Sequence, residues 1–358
     1  MAYEPLEYRF FLGANSAYGF YSYFEDAVTD PDIHFNYIHK GGPGCGKSTS
    51  MKRFLAHGIE QGETCEIIPC SSDPDSLDGV RFHKKGVAVY DGTAPHVIEM
   101  TFPGAQGAYI TAPPFLAPME LKAKKEELQN TNAALAGQYA QVYRLLAAAG
   151  KFSELIYHEV ADISFMDHLE KRAKGIIGRE IPKSSGTGKC HRRFLGGITP
   201  HGLICYYESA QALAGKIYEL EDPYGFAPQF LEPILKAALK NGYEVYACYD
   251  PLLPEHLQHL IIPALSLAFV SSNCAFQYSG DSARRINLAG VVENKSLRPI
   301  RGRIRLFQKL QLSLMQEACD ELANTKKYHD KLEELYHPHL DFDALTKQTQ
   351  QLIETLLK

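Results

Sequence analysis

Gly41, Gly42, Pro43, Gly44, Cys45, Gly46, Lys47, Ser48 and Thr49 combine residue types and spacing suited to chemistry on a polyphosphate. They fit G-x-x-x-x-G-K-[S/T], in which backbone N–H groups curl round phosphate oxygens, a lysine reaches the β/γ oxygens and a hydroxyl ligates Mg²⁺. A side chain at Gly46 would obstruct the phosphates, and the ammonium directly after it can follow the transferring charge. Residues 86–91 (GVAVYD) supply a second element: small and apolar residues ending in a carboxylate suit a central parallel strand that delivers Asp91 to the sheet's C-terminal edge. Asp91 and Ser48 are the candidate Mg²⁺ ligands, and Asp91 joins Lys47 as a candidate catalytic residue. Between the two motifs, residues 70–78 (CSSDPDSLD) place Asp73, Asp75 and Asp78 within six positions. One of them, Asp73 as first candidate, could orient a water or an acceptor hydroxyl. The competing structural reading has Ser72 or Asp73 capping a helix that starts near Pro74. His96, in the polar turn after Asp91, reads as an exposed loop histidine.

These groups need elements to hold them. Residues 34–40 read as a short strand entering the loop, and Met51, Phe54, Leu55 and Ile59 form the apolar stripe of a helix after it. Gln61-Gly62 is a helix stop, and residues 65–68 begin another strand. Residues 8–24 look like two short strands around Gly13 and Gly19. From about 118 to 180 the composition turns helical, with Leu121, Leu128, Leu135 and Val142 seven residues apart. The intervening Lys125, Asn132 and Tyr139 favour a short intramolecular helical hairpin over a dimer zipper. Residues 303–358 repeat that plan. Arg301, Arg303 and Arg305 alternate, so on a strand they would share one face; Arg172, Arg179, Arg192 and Arg193 are candidate arginine fingers.

The chain repeats itself. Phe11, Leu12, Gly13, Gly19, Tyr23, Glu25 and Ala27 recur 183 residues later as Phe194, Leu195, Gly196, Gly202, Tyr206, Glu208 and Ala210. Further on the offset is 180, matching Pro43 with Pro223, Gly62 with Gly242 and Leu77 with Leu257, and it is 179 at the far end, where Tyr157-His158 meet Tyr336-His337. The second copy keeps the apolar pattern and loses the phosphate residues. Gly41 becomes Glu221, Gly46 becomes Phe226, Lys47 becomes Ala227, Ser48 becomes Pro228 and Asp91 becomes Ser271. A carboxylate and a phenyl ring where polyphosphate should lie rule out the usual binding mode there. Pro228 and Pro233 predict that the following helix begins late, near Pro233. Residues 183–189 (KSSGTGK) mimic the loop's end only and read as a flexible linker.

With 358 residues, 45% apolar and 22% charged, the chain has the size and composition of two ordinary soluble domains. A formal charge of −5 gives no global attraction to nucleic acid or anionic membrane. The opening MAYEPLEYRF has no apolar core of a signal peptide, and the apolar run 260–270 is too short to span a bilayer. Eight cysteines without CxxC pairs indicate neither a zinc site nor a disulfide framework, which fits a cytoplasmic protein.

GGPGCGKST, SSDPDSLDG, VAVYDGTAPH and the second-copy RFLGGITPHG together resemble a poorly characterised bacterial family of duplicated P-loop proteins, described as ATPase-like or nucleotide-kinase-like. The resemblance covers nearly the whole chain. It implies an α/β protein with tandem P-loop NTPase-like three-layer domains and mainly parallel sheets, each with a helical arm, the second copy degenerate. In that family the second copy often keeps a complete phosphate loop; residues 221–228 depart from this. The expected plan is a nucleotide-binding domain over 1–182 with its arm at about 118–180, a linker over 183–190, and a degenerate domain over 191–358 with its arm at about 303–358. The expected activity is that of a Mg²⁺-dependent ATPase with one site. A small-molecule or nucleotide kinase and a nucleotide-gated binding module are the alternatives. ATP and Mg²⁺ are the expected cofactors, a small-molecule acceptor or a protein the expected further partner; nucleic acid is disfavoured and no membrane is expected. ATP is preferred over GTP because Asn294-Lys295 lacks the aspartate of an NKxD pattern.

Overall fold

The computed structural model describes residues 7–356; the opening hexapeptide of the signal-peptide reading lies outside them. The first half runs β1 (Glu7–Arg9), β2 (Gly13–Ser16), β3 (Gly19–Ser22), α1 (Phe24–Val28), β4 (Phe35–Lys40), α2 (Lys47–Glu60), β5 (Cys65–Cys70), β6 (Asp73–Phe82), β7 (Val87–Asp91), β8 (Gly107–Thr111), α3 (Pro118–Ala123), α4 (Lys125–Ala161) and α5 (Met166–Glu180). The second runs β9 (Lys189–Arg193), β10 (Gly196–Thr199), β11 (Gly202–Cys205), α6 (Tyr207–Leu213), β12 (Lys216–Glu221), α7 (Ala227–Lys240), β13 (Glu244–Tyr249), β14 (Leu257–Ile262), β15 (Leu267–Ser272), β16 (Arg284–Asn287), α8 (Asn294–Tyr336) and α9 (Phe342–Leu356).

Each half carries a six-stranded sheet, ordered β1-β5-β6-β7-β4-β8 in the first and β9-β13-β14-β15-β12-β16 in the second. Equivalent strands take equivalent places, as a tandem duplication requires. The sheets are mixed, which corrects the expectation of mainly parallel ones: β6 runs antiparallel to both β5 and β7, and β14 to both β13 and β15. The reason is connection length. Only residues 71–72 separate β5 from β6, and a parallel neighbour needs a crossover of about a dozen residues or more. The same pairing makes Asp73–Phe82 a strand, so no helix starts near Pro74.

Both faces of each sheet are buried. On β4, Tyr37 faces a core with Met51 and Phe54 of α2, while Ile38 faces Phe24, Ala27 and Ile98 on the other side. The β2–β3 and β10–β11 hairpins meet where Phe11 and Phe194 exchange backbone hydrogen bonds, each N–H donating to the other's carbonyl at 2.9 Å. These two positions are 183 apart, so the contact lies on the axis relating the copies.

The arms are not two short hairpins. α4 and α8 are long helices of 37 and 43 residues that pair with each other antiparallel, as the contacts Glu127–Lys331, Ser153–Gln311 and Glu159–Arg303 require. Val142, Leu146 and Ala149 bury against Met315, Ala318 and Leu322. Beyond this pair each chain segment crosses over. α5 packs on α7 of the second half through Leu169, Ala173 and Ile176, and α9 brings Ile353 into the core beside α2 of the first. Each α/β unit is thus completed by the other half's last helix. Arg298–Arg305 lies on α8, not on a strand, because Leu297 and Ile304 are its buried positions, one helical heptad apart. No helix among the described residues is long and apolar enough to cross a membrane.

Candidate functional site

The loop between β4 and α2 turns through Gly44 and Gly46, both at φ +68°. That left-handed backbone is open to glycine and strained for other residues. Leaving it, α2 starts at Lys47 and runs 14 residues, with Ser50 N–H the first to bond back, to Gly46 O at 2.9 Å. The earlier amides have no carbonyl within their helix and present the positive end of its dipole. Lys47 Nζ donates to the loop carbonyls of Gly41 (3.1 Å) and Gly42 (2.9 Å) and lies 3.6 Å from Asp91 Oδ2.

Residues 43–49 line a cavity of about 360 Å³ together with Asp73, Asp78 and Asp91. Gly41 packs under Ala112 and Cys45, and Gly42 under the Tyr336 ring, so both shape the loop from behind. Asp91, at the end of β7, accepts from Thr93 N–H (2.9 Å) and Thr93 Oγ1 (2.6 Å) through Oδ1, leaving Oδ2 toward Lys47. Ser48 Oγ accepts the Leu77 N–H at 3.0 Å. Asp73 reaches the same cavity, but its Oδ2 accepts from Ser76 Oγ at 2.8 Å and meets Lys326 Nζ at 3.2 Å. Asp75 points elsewhere, toward His201 at the surface.

Two residues weigh more here than the sequence suggested. Asp78 is buried, and its carboxylate, that of Asp91 and the His96 imidazole all come within 4.8 Å of one another. His96 is buried at 7% exposure instead of lying on the surface, because its ring packs on Phe24 with centroids 4.6 Å apart. Burial pulls its pKa down, but Asp78, 3.6 Å from Nε2, outweighs this and holds it above the ordinary histidine value. Behind them His39 is driven down to about 4 by burial, against the pull of Asp91. A signal for Asp78 and His96 was present: at offset 180 they fall on Gln258 and Phe276, changed in the same copy that lost Lys47 and Asp91.

The cavity's far wall comes from the other half. Thr325, Lys326, His329 and Glu333 of α8 line it, with His337 and Phe342 beyond. A Cβ at Gly44 would stand 3.0 Å from the backbone of Glu333, so the loop and α8 are in close contact. No residue of this helix is among the site candidates read from the sequence. None of Arg172, Arg179, Arg192 and Arg193 lines the cavity: Arg179 pairs with Glu180, Arg192 with Asp26 and Arg193 with Glu66, and Arg172 donates to Asn287 O.

In the second half, α7 begins at Ala227, in register with Lys47 and six residues ahead of the predicted start at Pro233. The Asp222 carboxylate explains both the start and the closed loop. Its oxygens accept the N–H groups of Phe226 and Ala227, each at 2.7 Å, so a side chain fills the place that a bound anion would take. The position 180 earlier is Gly42, which leaves the first loop open. Comparison with protein-family models, curated proteins and solved structures found no match to this chain, so the functional reading rests on the site itself.

Proposed function

We propose that the chain is a Mg²⁺-dependent P-loop ATPase that binds and hydrolyses ATP at a single site in its first half. The observation carrying this reading is the contrast between the two loops: the amides at the start of α2 have no anion of their own, whereas those of α7 are taken by Asp222. In this reading the loop amides and Lys47 hold the β- and γ-phosphates, Lys47 exchanging the Gly41 and Gly42 carbonyls for phosphate oxygens. Ser48, Asp91 and Asp78 would hold Mg²⁺, for which hard oxygen donors from two buried carboxylates and a hydroxyl are a fitting set. When bound, Mg²⁺ supplies positive charge at the β/γ oxygens. Lys326 brings a second ammonium into the cavity, and Asp73, on its wall, would order a water.

A second reading, transfer of the γ-phosphate to a small-molecule acceptor, is favoured by the cover that α8 and Phe342 provide, since a closed site limits attack by bulk water. Phosphate release and direct ATP binding, measured with Mg²⁺ for the natural chain and for Lys47→Ala, test the first reading. Release that depends on Lys47 is the expected result. Binding with release only on adding an acceptor selects transfer, and failure to bind ATP removes both.

A further inference from the structure

The second half has a cavity of its own, about 400 Å³, above the filled loop. Like the first it is lined by carboxylates, but it lacks the two ammonium groups of that cavity. Among the described residues no Lys or Arg lines it, whereas Asp222 and Asp250 do, along with His158 and His256. Neither carboxylate pairs with a Lys or Arg among the described residues, and the His256 imidazole is the neighbour whose charge acts on Asp250. Asp250 is held by the N–H groups of Leu252 (2.7 Å) and Leu253 (3.4 Å), and its Oδ2 accepts from Gln258 Nε2 at 3.4 Å. That last bond fixes the amide's orientation, since a carboxylate can only accept. Gln258 is 4% exposed and lines the cavity, and its Oε1 has no hydrogen-bond partner. Gln229 likewise lines it with Oε1 unpaired. A buried acceptor without a donor costs about 1–3 kcal/mol, so two such acceptors beside two carboxylates ask for a ligand rich in N–H.

We propose that this cavity binds a small organic cation bearing several N–H donors, an amine or guanidinium compound, with Asp250, Gln258 and Gln229 as its acceptors. Tyr157, Tyr224 and Phe276 line the same cavity and offer ring faces to the positive charge. A single metal ion fits less well. Among the described residues, the groups of three His, Cys, Asp or Glu side chains whose ligand atoms converge all lie elsewhere. The acceptors here are spread along a wall, as an extended cation requires. Around the first cavity the corresponding residues are Lys47 for Ala227 and, on α8, Lys326 for Ala147 of α4, so both cations that suit that cavity to an anion are missing from this one.

The test is calorimetric titration of the full chain with agmatine, at constant ionic strength. Parallel titrations use the uncharged 1,4-butanediol and, separately, MgCl₂ and KCl. Saturable binding of agmatine and none of butanediol is expected, with affinity reduced at least about tenfold in Asp250→Asn, which keeps the shape and the acceptor oxygen for Leu252. Gln229→Leu, at the half-buried edge, is a second variant should Asp250→Asn fail to fold, and is expected to weaken binding several-fold. Absence of saturable agmatine binding overturns the proposal. So does equal binding of butanediol, metal-salt binding that Asp250→Asn abolishes, or unchanged affinity in a folded Asp250→Asn or Gln229→Leu chain. Nothing in this test depends on ATP turnover, so the two proposals stand or fall separately.

Discussion

The two halves share a strand order and the start of the helix after the loop, yet one site keeps its charges and the other has none of them. Lys47, Asp78, Asp91, His96 and Lys326 stand opposite Ala227, Gln258, Ser271, Phe276 and Ala147, while Phe54 and Leu77 stand opposite Ile234 and Leu257. Packing and chemistry have therefore separated. Apolar positions are kept because each fills a sheet face, and a substitution there leaves a cavity or a clash. Charged positions are kept only where something makes the desolvation worthwhile. The filled loop adds a further lesson: helix-start amides need an acceptor, and in the second half the Asp222 side chain supplies it.

A second asymmetry lies between the halves and gives the largest expected effect. Glu66 of β5 is fully buried between Arg81, 2.9 Å away, and Arg193 of β9, which also engages it; Arg81 further pairs with Asp30. The counterparts of Glu66 and Arg81 are Tyr246 and Ile261, so the network exists once. Glu66→Leu leaves two guanidiniums buried without their carboxylate and is expected to cost about 3–5 kcal/mol. Tyr246→Phe loses the hydroxyl contact with Tyr8 at 2.9 Å and should cost about 1 kcal/mol. Denaturant midpoints of the two variants give the comparison; equal midpoints would show that the network contributes nothing particular.

The same network sets an acid limit. Burial raises the Glu66 pKa, but Arg193 and Arg81 outweigh it and hold the group well below its ordinary 4.5. Asp30 is likewise held below 3.8, against burial, by His191, Lys189 and Arg81. A depressed folded pKa gives stability that is complete above the unfolded value and lost as pH falls toward the folded one. Stability is thus expected to fall steeply below about pH 4.5, on top of a gentler decline from about pH 6.5 that the buried neutral His39 and His259 impose, since the unfolded chain protonates them first. A thermal midpoint that keeps its neutral value at pH 3.5 would contradict this.

Next in size are the site carboxylates. On the proposed function, Asp91→Asn and Asp78→Asn each lower Mg²⁺-dependent phosphate release by about 10²-fold or more, the usual cost of removing a preorganised charge from a reacting phosphate. The counterpart change Ser271→Ala leaves release per folded molecule unchanged. If Asp78→Asn retains full release while Asp91→Asn does not, Asp78 belongs to the scaffold through His96 and not to the metal site.

Local signals were legible in the sequence. The strand before the loop, the helix from Lys47 and the carboxylate ending β7 were each marked by a short pattern of period or glycine, and all line up as expected. What escaped depends on partners distant in the chain. β6 was open to a helix reading because its strand character comes from pairing with β5 and β7. The start of α7 was misplaced because the prolines were visible and the capping role of Asp222 was not. Alternation among the arginines suggested a strand, although Leu297 and Ile304 already carried the helical period. Least visible was the exchange of α5 and α9 between the halves, which places α8 over the first site. An arm's periodicity tells which face is buried but not against what.

That exchange makes Lys326 the sharpest small-effect test. Its ammonium lies 3.2 Å from Asp73 and 3.6 Å from Asp330, and its side chain is 39% exposed. Water screens part of its charge, so its pull on a phosphate must be weaker than that of Lys47, whose side chain is 13% exposed. Lys326→Ala is therefore expected to lower kcat for phosphate release by about tenfold, equivalent to about 1.4 kcal/mol, with ATP affinity little changed. Lys326→Arg should recover most of the loss, since charge and reach are kept. A helix that only covers the site would behave differently: truncation would loosen ATP binding or lower stability, and arginine would rescue no better than glutamine. Comparing the alanine, arginine and glutamine variants thus decides whether the second half contributes a charge to the first half's site or merely a wall.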